Sequence, residues 1–449
     1  MPRKLPNPVV VVPGITATYL RDEYPVSPET VWSVLTKEYD RAVFHPDNPA
    51  RIARHPGGAW YESQQPARIR SDQIFEIAYS ELISELRHNL TDRPDRPVPV
   101  YPFGYDWRQP LDVTEAQLAT FIEEVIERTC LMRHYDADNY ATEETGVNLV
   151  GHSMGGMVIA GCLERLGRKA RVTKVVTLAT PFRGSFEAVL KIATGTADLG
   201  RGDSSSRERE LARLTPAIYH LIPSCAADTD FAATLPKTYF DTSVWQPSVK
   251  ETIAEFIRQR GLDPGTARQQ QAETLFTSML DAAKAHRDRL EAFKLSSANL
   301  TAADWLCVVG ANSKTRVRIP ITVKGTRPEF NLDSADRVNN WEDTKLPPDQ
   351  RKLTGDGTVP FLGAVPGFLN LENLVCVTPD DYGYWEIQDR LVSGTAGFHG
   401  ILPNMDMLHR MITRHLTGSG DTHGNTWGRP APGVTKAQWD PPLTLELKA

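Results

Sequence analysis

Short runs of consecutive apolar residues alternate along this chain with segments whose apolar residues recur at helical spacing. A run that is apolar at every position predicts a strand covered on both faces, as in a parallel sheet. The segments with helical spacing predict helices that bury one side. The runs are residues 9–12, 98–101, 147–150 and 174–179, and the helical segments are 71–89, 114–130 and 154–166. Their alternation predicts an α/β fold with a mostly parallel sheet.

Two segments interrupt this alternation. The stretch 16–70 is irregular and rich in proline and aromatic residues, and a loop of this length predicts a lid over a functional site. The stretch 200–300 is polar and has helical patterns at 207–222, 248–261 and 266–295. The core pattern then resumes, with strands at 305–309 and 373–377 and a closing helix at 405–416.

These boundaries define the predicted domain organisation. Residues 1–199 form the first part of the core and include the lid loop, and 200–300 form a mostly helical cap insertion. Residues 301–417 form the second part of the core, and 418–449 form a flexible C-terminal tail. Both insertions follow strands, so both can fold over the carboxyl edge of the sheet, where α/β sheets bind ligands.

Composition and charge exclude several classes of function. The 449 residues are 40% hydrophobic and 24% charged, as in ordinary globular proteins. The net charge is −6, and no block of Lys or Arg is present, so we expect no nucleic-acid partner. The 11 histidines include no pair at a metal-ligand spacing, and we predict neither a metal nor a cofactor.

The terminus and the cysteines bear on location. The first apolar run is too short for the core of a signal peptide, and no stretch approaches the ~18 apolar residues of a membrane span. The five cysteines are widely spaced and never form a C-x-x-C pair, as is typical of a reducing compartment. We therefore predict a cytoplasmic protein, with export by a route without a cleaved signal left open.

The segment Gly151-His152-Ser153-Met154-Gly155 lies between a predicted strand and a predicted helix. In this context G-x-S-x-G indicates a sharp turn that exposes the serine at a helix N-terminus, where the helix dipole stabilises negative charge. The alternative is a glycine-rich turn with an incidental serine. We predict that Ser153 is a nucleophile, and we interpret His152 as a packing residue.

The acid of a serine hydrolase of this kind follows the nucleophile in the chain and precedes the base. Asp356 meets this requirement, and the glycines on both sides of it allow a tight turn. Asp380 and Asp381 are the alternatives, beyond the next strand.

His399 is the predicted base, in a glycine-rich loop just before the last helix. His409 and His415 fall inside that helix, where exposure to solvent or end-capping is the interpretation we favour. For the oxyanion hole we predict the backbone N–H of Met154, the residue after the nucleophile, and that of Ile15, after the first strand.

These segments together resemble the lecithin:cholesterol acyltransferase family, which includes lysosomal phospholipase A. The similar segments are 9–14, Tyr105-Asp106-Trp107-Arg108, 151–155, 179–185 and 355–359. The resemblance covers residues 8–190 and 301–416, whereas the insertion 200–300 matches poorly. It implies an α/β-hydrolase fold, acyl-ester hydrolysis or acyl transfer on lipids, and the same site residues as those predicted above.

The sequence departs from the family in two places. Residues 1–129 contain no cysteine, whereas the secreted members pin their lid with a disulfide. Arg183 replaces a glycine beside the acyl site, and we expect it to contact an anionic head group. We expect the neighbouring Phe182 to contact the substrate as well. We expect Trp32 or Trp60 of the lid to pack on the acyl chain. An equal alternative is that the aromatic residues of this loop fill a core of their own.

The function predicted from these observations is that of a serine hydrolase. It cleaves carboxylic esters of acyl lipids or lipid-like substrates, as a lipase, phospholipase or esterase, through an acyl-enzyme on Ser153. One alternative is a lipid O-acyltransferase, and another is a hydrolase-fold binding protein without catalysis. An acyl ester or lipid is the expected partner, and a transient contact with a membrane surface is compatible with it.

Overall fold

A computed structural model of the chain describes residues 5–23, 27–33, 36–39, 42, 69–138, 140, 145–195, 206–260, 268–383, 386 and 397–448. The strands, in chain order, are β1 (Val9–Val12), β2 (Thr18–Asp22), β3 (Glu29–Trp32), β4 (Ile69–Ile74), β5 (Val100–Pro102), β6 (Val147–His152), β7 (Val172–Leu178), β8 (Trp305–Gly310), β9 (Thr315–Arg316), β10 (Ile321–Lys324), β11 (Arg327–Phe330), β12 (Arg337–Val338), β13 (Leu374–Val377), β14 (Trp427–Gly428) and β15 (Glu446–Leu447).

The α-helices, in the same order, are α1 (Glu76–Leu90), α2 (Leu111–Cys130), α3 (Arg133–Ala137), α4 (Met154–Leu166), α5 (Phe186–Thr194), α6 (Ser206–Leu214), α7 (Pro216–His220), α8 (Pro247–Arg260), α9 (Arg268–Ala292), α10 (Pro348–Arg351), α11 (Phe361–Ala364), α12 (Phe398–Ile401) and α13 (Asp406–Thr417).

A parallel sheet forms the centre of the molecule. Within the described ranges it has six strands in the order β13-β8-β7-β6-β1-β5, and every neighbouring pair is parallel. In register, Val10 of β1 lies beside Tyr101 of β5 and Leu149 of β6. The α/β architecture with a mostly parallel sheet is therefore confirmed.

The first strand shows why consecutive valines predict a buried strand. Its side chains alternate between the faces of the sheet, and all are fully buried. Val10 and Val12 join a hydrophobic core that includes α2 and α4 residues, whereas Val9 and Val11 join a second core that includes α1 and α13 residues. Both faces of the sheet are thus covered by helices, as the apolar pattern requires.

The segment predicted as an irregular lid is partly regular where the structure describes it. Strands β2, β3 and β4 form an antiparallel sheet in the order β3-β2-β4. Residues 69–74 therefore extend as a strand, and the helix predicted from residue 71 begins only at Glu76. Pairing with β2 overrides the helical spacing at that end of the segment.

The helical insertion is joined to the core by its longest helix, α9. Buried Glu115 of α2 accepts a hydrogen bond from His286 Nε2 at 2.6 Å and one from Arg289 Nη2 at 3.1 Å. Arg289 also donates to Glu164 of α4 at 2.5 Å. Burial raises the pKa of Glu115, but the hydrogen bond and charge of His286 and the charge of Arg289 outweigh it, so the pKa lies below its ordinary value.

The last segment of the chain differs from the predicted flexible tail. Strand β14 pairs with β15, and the backbones of Arg429 and Cys376 exchange hydrogen bonds of 2.8 and 3.1 Å. Trp439 Nε1 donates to Leu374 O at 2.8 Å, and Arg429 forms an ion pair with buried Asp381 at 2.6 Å. The tail is ordered because it covers β13, an edge strand whose backbone groups need partners. Several Gly and Pro residues of this segment lie in turns of this packed structure.

None of the helices in the described segments is long and apolar enough to cross a membrane.

Candidate active site

A strained turn places Ser153 at the carboxyl end of β6 and at the N-terminus of α4. Its backbone has φ 53° and ψ −129°, a conformation that costs a residue with a side chain about 1–3 kcal/mol. Three glycines make the turn sterically allowed. A Cβ at Gly151 would lie 2.7 Å from Ile159 Cδ1, one at Gly155 2.2 Å from Val12 O, and one at Gly156 2.0 Å from Thr180 Oγ1.

The structure brings Ser153, His399 and Asp356 together in one hydrogen-bonded line. His399 Nε2 lies 2.8 Å from Ser153 Oγ, and His399 Nδ1 lies 2.7 Å from Asp356 Oδ2. The other carboxylate oxygen of Asp356 accepts the N–H groups of Thr358 at 2.9 Å and Val359 at 2.7 Å. These bonds fix the carboxylate toward the imidazole.

The sheet positions the acid and the histidine although they are far apart in sequence. A Cβ on Gly310, the last residue of β8, would lie 2.6 Å from Asp356 Cβ, so the acid sits directly at the end of that strand. The N–H of His399 donates to Asp356 O at 3.1 Å. Ser153 is 7% exposed, His399 9% and Asp356 1%, so the hydrogen bonds between them are largely shielded from water.

The alternative acid is engaged elsewhere. Asp381 is buried and accepts from Arg429 and from Trp427 Nε1 at 2.8 Å, both in the C-terminal segment. The neighbouring Asp380 is exposed.

The alternative bases differ from the exposed or capping histidines that we expected. His409 is 1% exposed and His415 2% exposed, and the Nε2 of His409 donates to Pro403 O at 2.7 Å. Burial lowers the pKa of His409, and it lowers the pKa of His415 to about 4. Both histidines lie on the buried face of α13, together with its apolar residues.

The predicted oxyanion turn lies against the serine. A Cβ on Gly14 would be 2.9 Å from Ser153 Cβ and 3.4 Å from Ser153 Oγ, so only glycine allows this approach. Tyr105 of the Tyr-Asp-Trp-Arg segment holds the turn by donating its hydroxyl to Pro13 O at 2.9 Å. Among the described residues, neither the Ile15 nor the Met154 amide donates to a protein acceptor.

The side chains that surround this turn were not among the residues predicted from the sequence. Tyr79 Oη accepts the Gly14 N–H at 2.9 Å and lies 2.6 Å from His152 Nδ1. His152 Nε2 lies 2.9 Å from His399 O. The sequence predicts His152 to be a packing residue, but both of its ring nitrogens are hydrogen-bonded. Tyr79 acquires this role because α1 packs against the turn at Ser153, a contact that the helical spacing of its segment does not indicate.

Trp32 lies in the hydrophobic core. Its indole is 2% exposed, packs on Trp107 and Tyr39 with ring centroids 4.8 and 5.6 Å apart, and donates Nε1–H to Thr16 O at 3.1 Å. These contacts favour the alternative in which the aromatic residues of this segment fill a core. Trp60 lies outside the described residues.

Phe182 and Arg183 both contact the helical insertion. The Phe182 ring is 3% exposed and packs edge-on against Phe368, and its carbonyl accepts from Arg287 of α9 at 2.6 Å. Arg183 forms a two-pronged ion pair with Glu291 of α9, with distances of 2.8 and 3.0 Å. In the structure Arg183 is therefore paired with Glu291, and its expected contact with an anionic head group stays a prediction.

The described part of the chain contains no group of three or more His, Cys, Asp or Glu residues placed to hold a metal ion. The five cysteines are free thiols.

Comparison with known protein families adds a separate line of evidence. The model of the family described as lecithin:cholesterol acyltransferase matches residues 74–292. The resemblance to this family is confirmed. The lecithin:cholesterol acyltransferase match contains Ser153 and runs through the helical insertion to the end of α9, although we expected the insertion to match poorly. It ends before Asp356 and His399. The chain is thus similar to enzymes that handle lipid acyl groups.

Solved structures support the fold. A structure titled "The crystal structure of Tle4-Tli4 complex" is 16% identical, with a TM-score of 0.53, and the match covers 81% of this chain and 89% of that chain. At this identity the likeness supports the α/β-hydrolase fold alone. The product of gene lin2722 from Listeria innocua is 15% identical over 47% of this chain and 64% of its own, and its TM-score of 0.19 carries no argument. No curated protein matches.

Proposed function

We propose that this chain is a serine hydrolase that cleaves carboxylic esters of acyl lipids or lipid-like substrates. The observation that carries the proposal is the position of His399, with one ring nitrogen 2.8 Å from Ser153 Oγ and the other 2.7 Å from Asp356. An imidazole held in this way takes the serine proton during attack and keeps a fixed tautomer.

The reaction then proceeds in two halves. Ser153 Oγ bonds to the ester carbonyl carbon while its proton passes to His399 Nε2. The tetrahedral intermediate collapses, the carbon–oxygen bond to the alcohol breaks, and His399 returns the proton to the leaving oxygen. Water attacks the acyl-enzyme by the same path and releases the acid and free Ser153. Asp356 stabilises the imidazolium formed in each half.

The oxyanion is held by backbone N–H groups of Ile15 and Met154 in this proposal. Two features support the assignment: both amides lack a protein acceptor among the described residues, and Gly14 brings its turn against Ser153. Met154 is also the first residue of α4, so the helix dipole adds to the stabilisation. Removing one such donor typically costs about 100–1,000-fold in rate.

Acyl transfer to an alcohol is the second candidate, because the matching family model is described as an acyltransferase. The first half of the reaction is unchanged, and an alcohol replaces water in the second half. The two activities differ in how well the site excludes water from the acyl-enzyme. A cytoplasmic location and a transient contact with a membrane surface stay predictions.

The products distinguish these candidates. Purified protein is incubated with p-nitrophenyl esters of increasing chain length and then with phospholipid vesicles, with and without a long-chain alcohol. A hydrolase releases free fatty acid, whereas a transferase forms a new ester when the alcohol is present. The Ser153→Ala variant is the control and should lose about 10⁴-fold or more of either activity. Equal rates for both proteins would refute the proposal and favour a binding protein.

A further inference from the structure

A second set of buried side chains lies next to Ser153, His399 and Asp356. It connects the predicted oxyanion turn to the backbone of His399. Tyr79 of α1 is 1% exposed, and His152, the last residue of β6, is 5% exposed. Their contacts reach Gly14 on one side and His399 on the other. We propose that Tyr79 and His152 are positioning residues that fix the oxyanion turn and His399 relative to each other. This role rests on the function proposed above.

The direction of each hydrogen bond follows from the chemistry of its atoms. A carbonyl oxygen only accepts, so His152 Nε2 carries the proton that it shares with His399 O. In a neutral ring, Nδ1 then has a lone pair and accepts the Tyr79 O–H at 2.6 Å. The Tyr79 oxygen in turn accepts the Gly14 N–H at 2.9 Å. The path therefore runs in one direction, from the Gly14 amide to the His399 carbonyl.

Burial keeps this arrangement in one protonation state. Desolvation, together with the nearby His399, holds the pKa of His152 well below its ordinary value. Burial also raises the pKa of Tyr79 well above its ordinary value. A neutral His152 matters for the reaction as well, because its ring centroid lies 5.0 Å from that of His399. A positive charge there would oppose formation of the His399 imidazolium.

The two ends of the path are the places where small displacements are costly. Gly14 immediately precedes Ile15, whose N–H is the proposed oxyanion donor, and its backbone already approaches Ser153 closely. At the other end, the backbone of His399 is held on both sides, by Asp356 O at its N–H and by His152 at its carbonyl. A misplacement of about 1 Å at a reacting group can cost about 100-fold in rate.

The test compares variants of this pair with matched variants elsewhere. Tyr79→Phe removes one hydroxyl, and His152→Leu removes both ring hydrogen bonds. His152→Gln keeps a donor for His399 O and an acceptor for Tyr79. The controls are Tyr135→Phe, which removes a buried hydroxyl that donates to Pro6 O, and His409→Gln, which replaces a buried histidine bonded to Pro403 O. Each protein is assayed for kcat and KM on p-nitrophenyl butyrate and for its thermal midpoint.

We expect Tyr79→Phe to lower kcat about 10- to 100-fold with KM changed less than about twofold, because the reacting groups move and the substrate contacts do not. His152→Leu should be at least as severe, and adding Tyr79→Phe to it should cost little more, since both break one path. His152→Gln should recover about tenfold or more of the activity that His152→Leu loses. The control variants should keep kcat within about twofold at similar losses of thermal midpoint.

The outcomes separate this inference from the proposed function. If Tyr79→Phe keeps kcat within twofold of Tyr135→Phe, the positioning role is wrong, and the pair serves stability alone. If His152→Leu fails to fold, the kcat values of Tyr79→Phe and His152→Gln still test the positioning role. If the wild-type protein hydrolyses no ester and a fluorophosphonate does not label Ser153, the proposed function itself fails.

Discussion

At the scale of single residues, the chemistry depends on how three side chains are held rather than on their presence alone. Asp356 receives two backbone N–H groups on one oxygen and His399 on the other, so its carboxylate has little freedom to rotate. Ser153 is held in a backbone conformation that only a glycine-rich turn tolerates. The residue types could be predicted from the sequence, but their orientation could not, because the contact of His399 with Ser153 joins residues that are 246 positions apart in the chain.

The acid offers a sharp test at this scale. Asp356→Asn should lower kcat by about 10³- to 10⁴-fold, because an amide cannot stabilise the imidazolium and favours the wrong tautomer of His399. Asp380→Asn is the matched control, since Asp380 is an exposed aspartate in the segment that offered the alternative acid. Ester hydrolysis is measured for both. A larger loss for Asp380→Asn than for Asp356→Asn would show that the acid is misassigned.

At the scale of elements, the helical insertion and the core share a buried ionic cluster. Glu115 is fully buried, and a Cβ on Gly161 of α4 would lie 1.9 Å from its Oε1, so glycine at 161 makes room for the carboxylate between the helices. His286 and Arg289 of α9 complete the cluster. A buried carboxylate without these partners would be unstable, so the cluster requires α9 to be docked.

Glu115→Gln should therefore lower the free energy of unfolding by about 3 kcal/mol, because it leaves Arg289 and His286 without their shared carboxylate. Glu124→Gln in the same helix is the control: Glu124 pairs with Arg128 in an exposed i,i+4 ion pair that typically contributes less than about 1 kcal/mol. Urea unfolding measures both. Equal effects of the two substitutions would show that the cluster does not hold the insertion in place.

The sheet of β2, β3 and β4 gives Trp32 a structural role. Trp32→Ala should lower the free energy of unfolding by about 3–5 kcal/mol, because it leaves a cavity beside Trp107. Any loss of activity should then be equal for p-nitrophenyl acetate and p-nitrophenyl palmitate. The comparison of the two rates checks this, and a selective loss on the palmitate ester would restore Trp32 as a contact of the acyl chain.

The elements that could be predicted from the sequence are those whose burial is set locally. The four valines of β1 and the consecutive apolar and small residues of α4 are buried in any arrangement of the fold, so their pattern is sufficient to predict them. The strand β4, the ordered C-terminal segment and the ion pair of Arg183 with Glu291 depend on partners distant in the chain. A single sequence carries no signal for such partners when the residues involved are polar or lie in turns.

At the scale of the whole molecule, several buried histidines make stability depend on pH. Burial is the main cause that lowers the pKa of each, and the four are His152, His220, His409 and His415. The folded protein keeps them neutral, whereas the unfolded chain binds protons below the usual histidine pKa of about 6.5. Stability is therefore fully present above that pH and decreases as the pH falls from about 6.5 toward the lower pKa of the folded state.

His415 allows this to be measured at one site, because its pKa is lowered to about 4. Between pH 7.5 and pH 5, protonation of His415 in the unfolded chain should lower the free energy of unfolding by about 2 kcal/mol. Urea unfolding at these two pH values is compared for the wild-type protein and His415→Gln, which cannot titrate. The variant should lose about 2 kcal/mol less than the wild type over this interval. An identical loss in both proteins would mean that His415 does not contribute.

The central claim is that Ser153 is a nucleophile activated by His399, and one measurement tests it directly. The protein is treated with a fluorophosphonate at neutral pH, and intact mass and peptide mass spectrometry locate the adduct. We predict one adduct, on Ser153, that forms rapidly in the wild type and in His409→Gln, about 10³-fold or more slowly in His399→Ala, and not at all in Ser153→Ala. An adduct on another residue, or labelling of His399→Ala at the wild-type rate, would contradict the account.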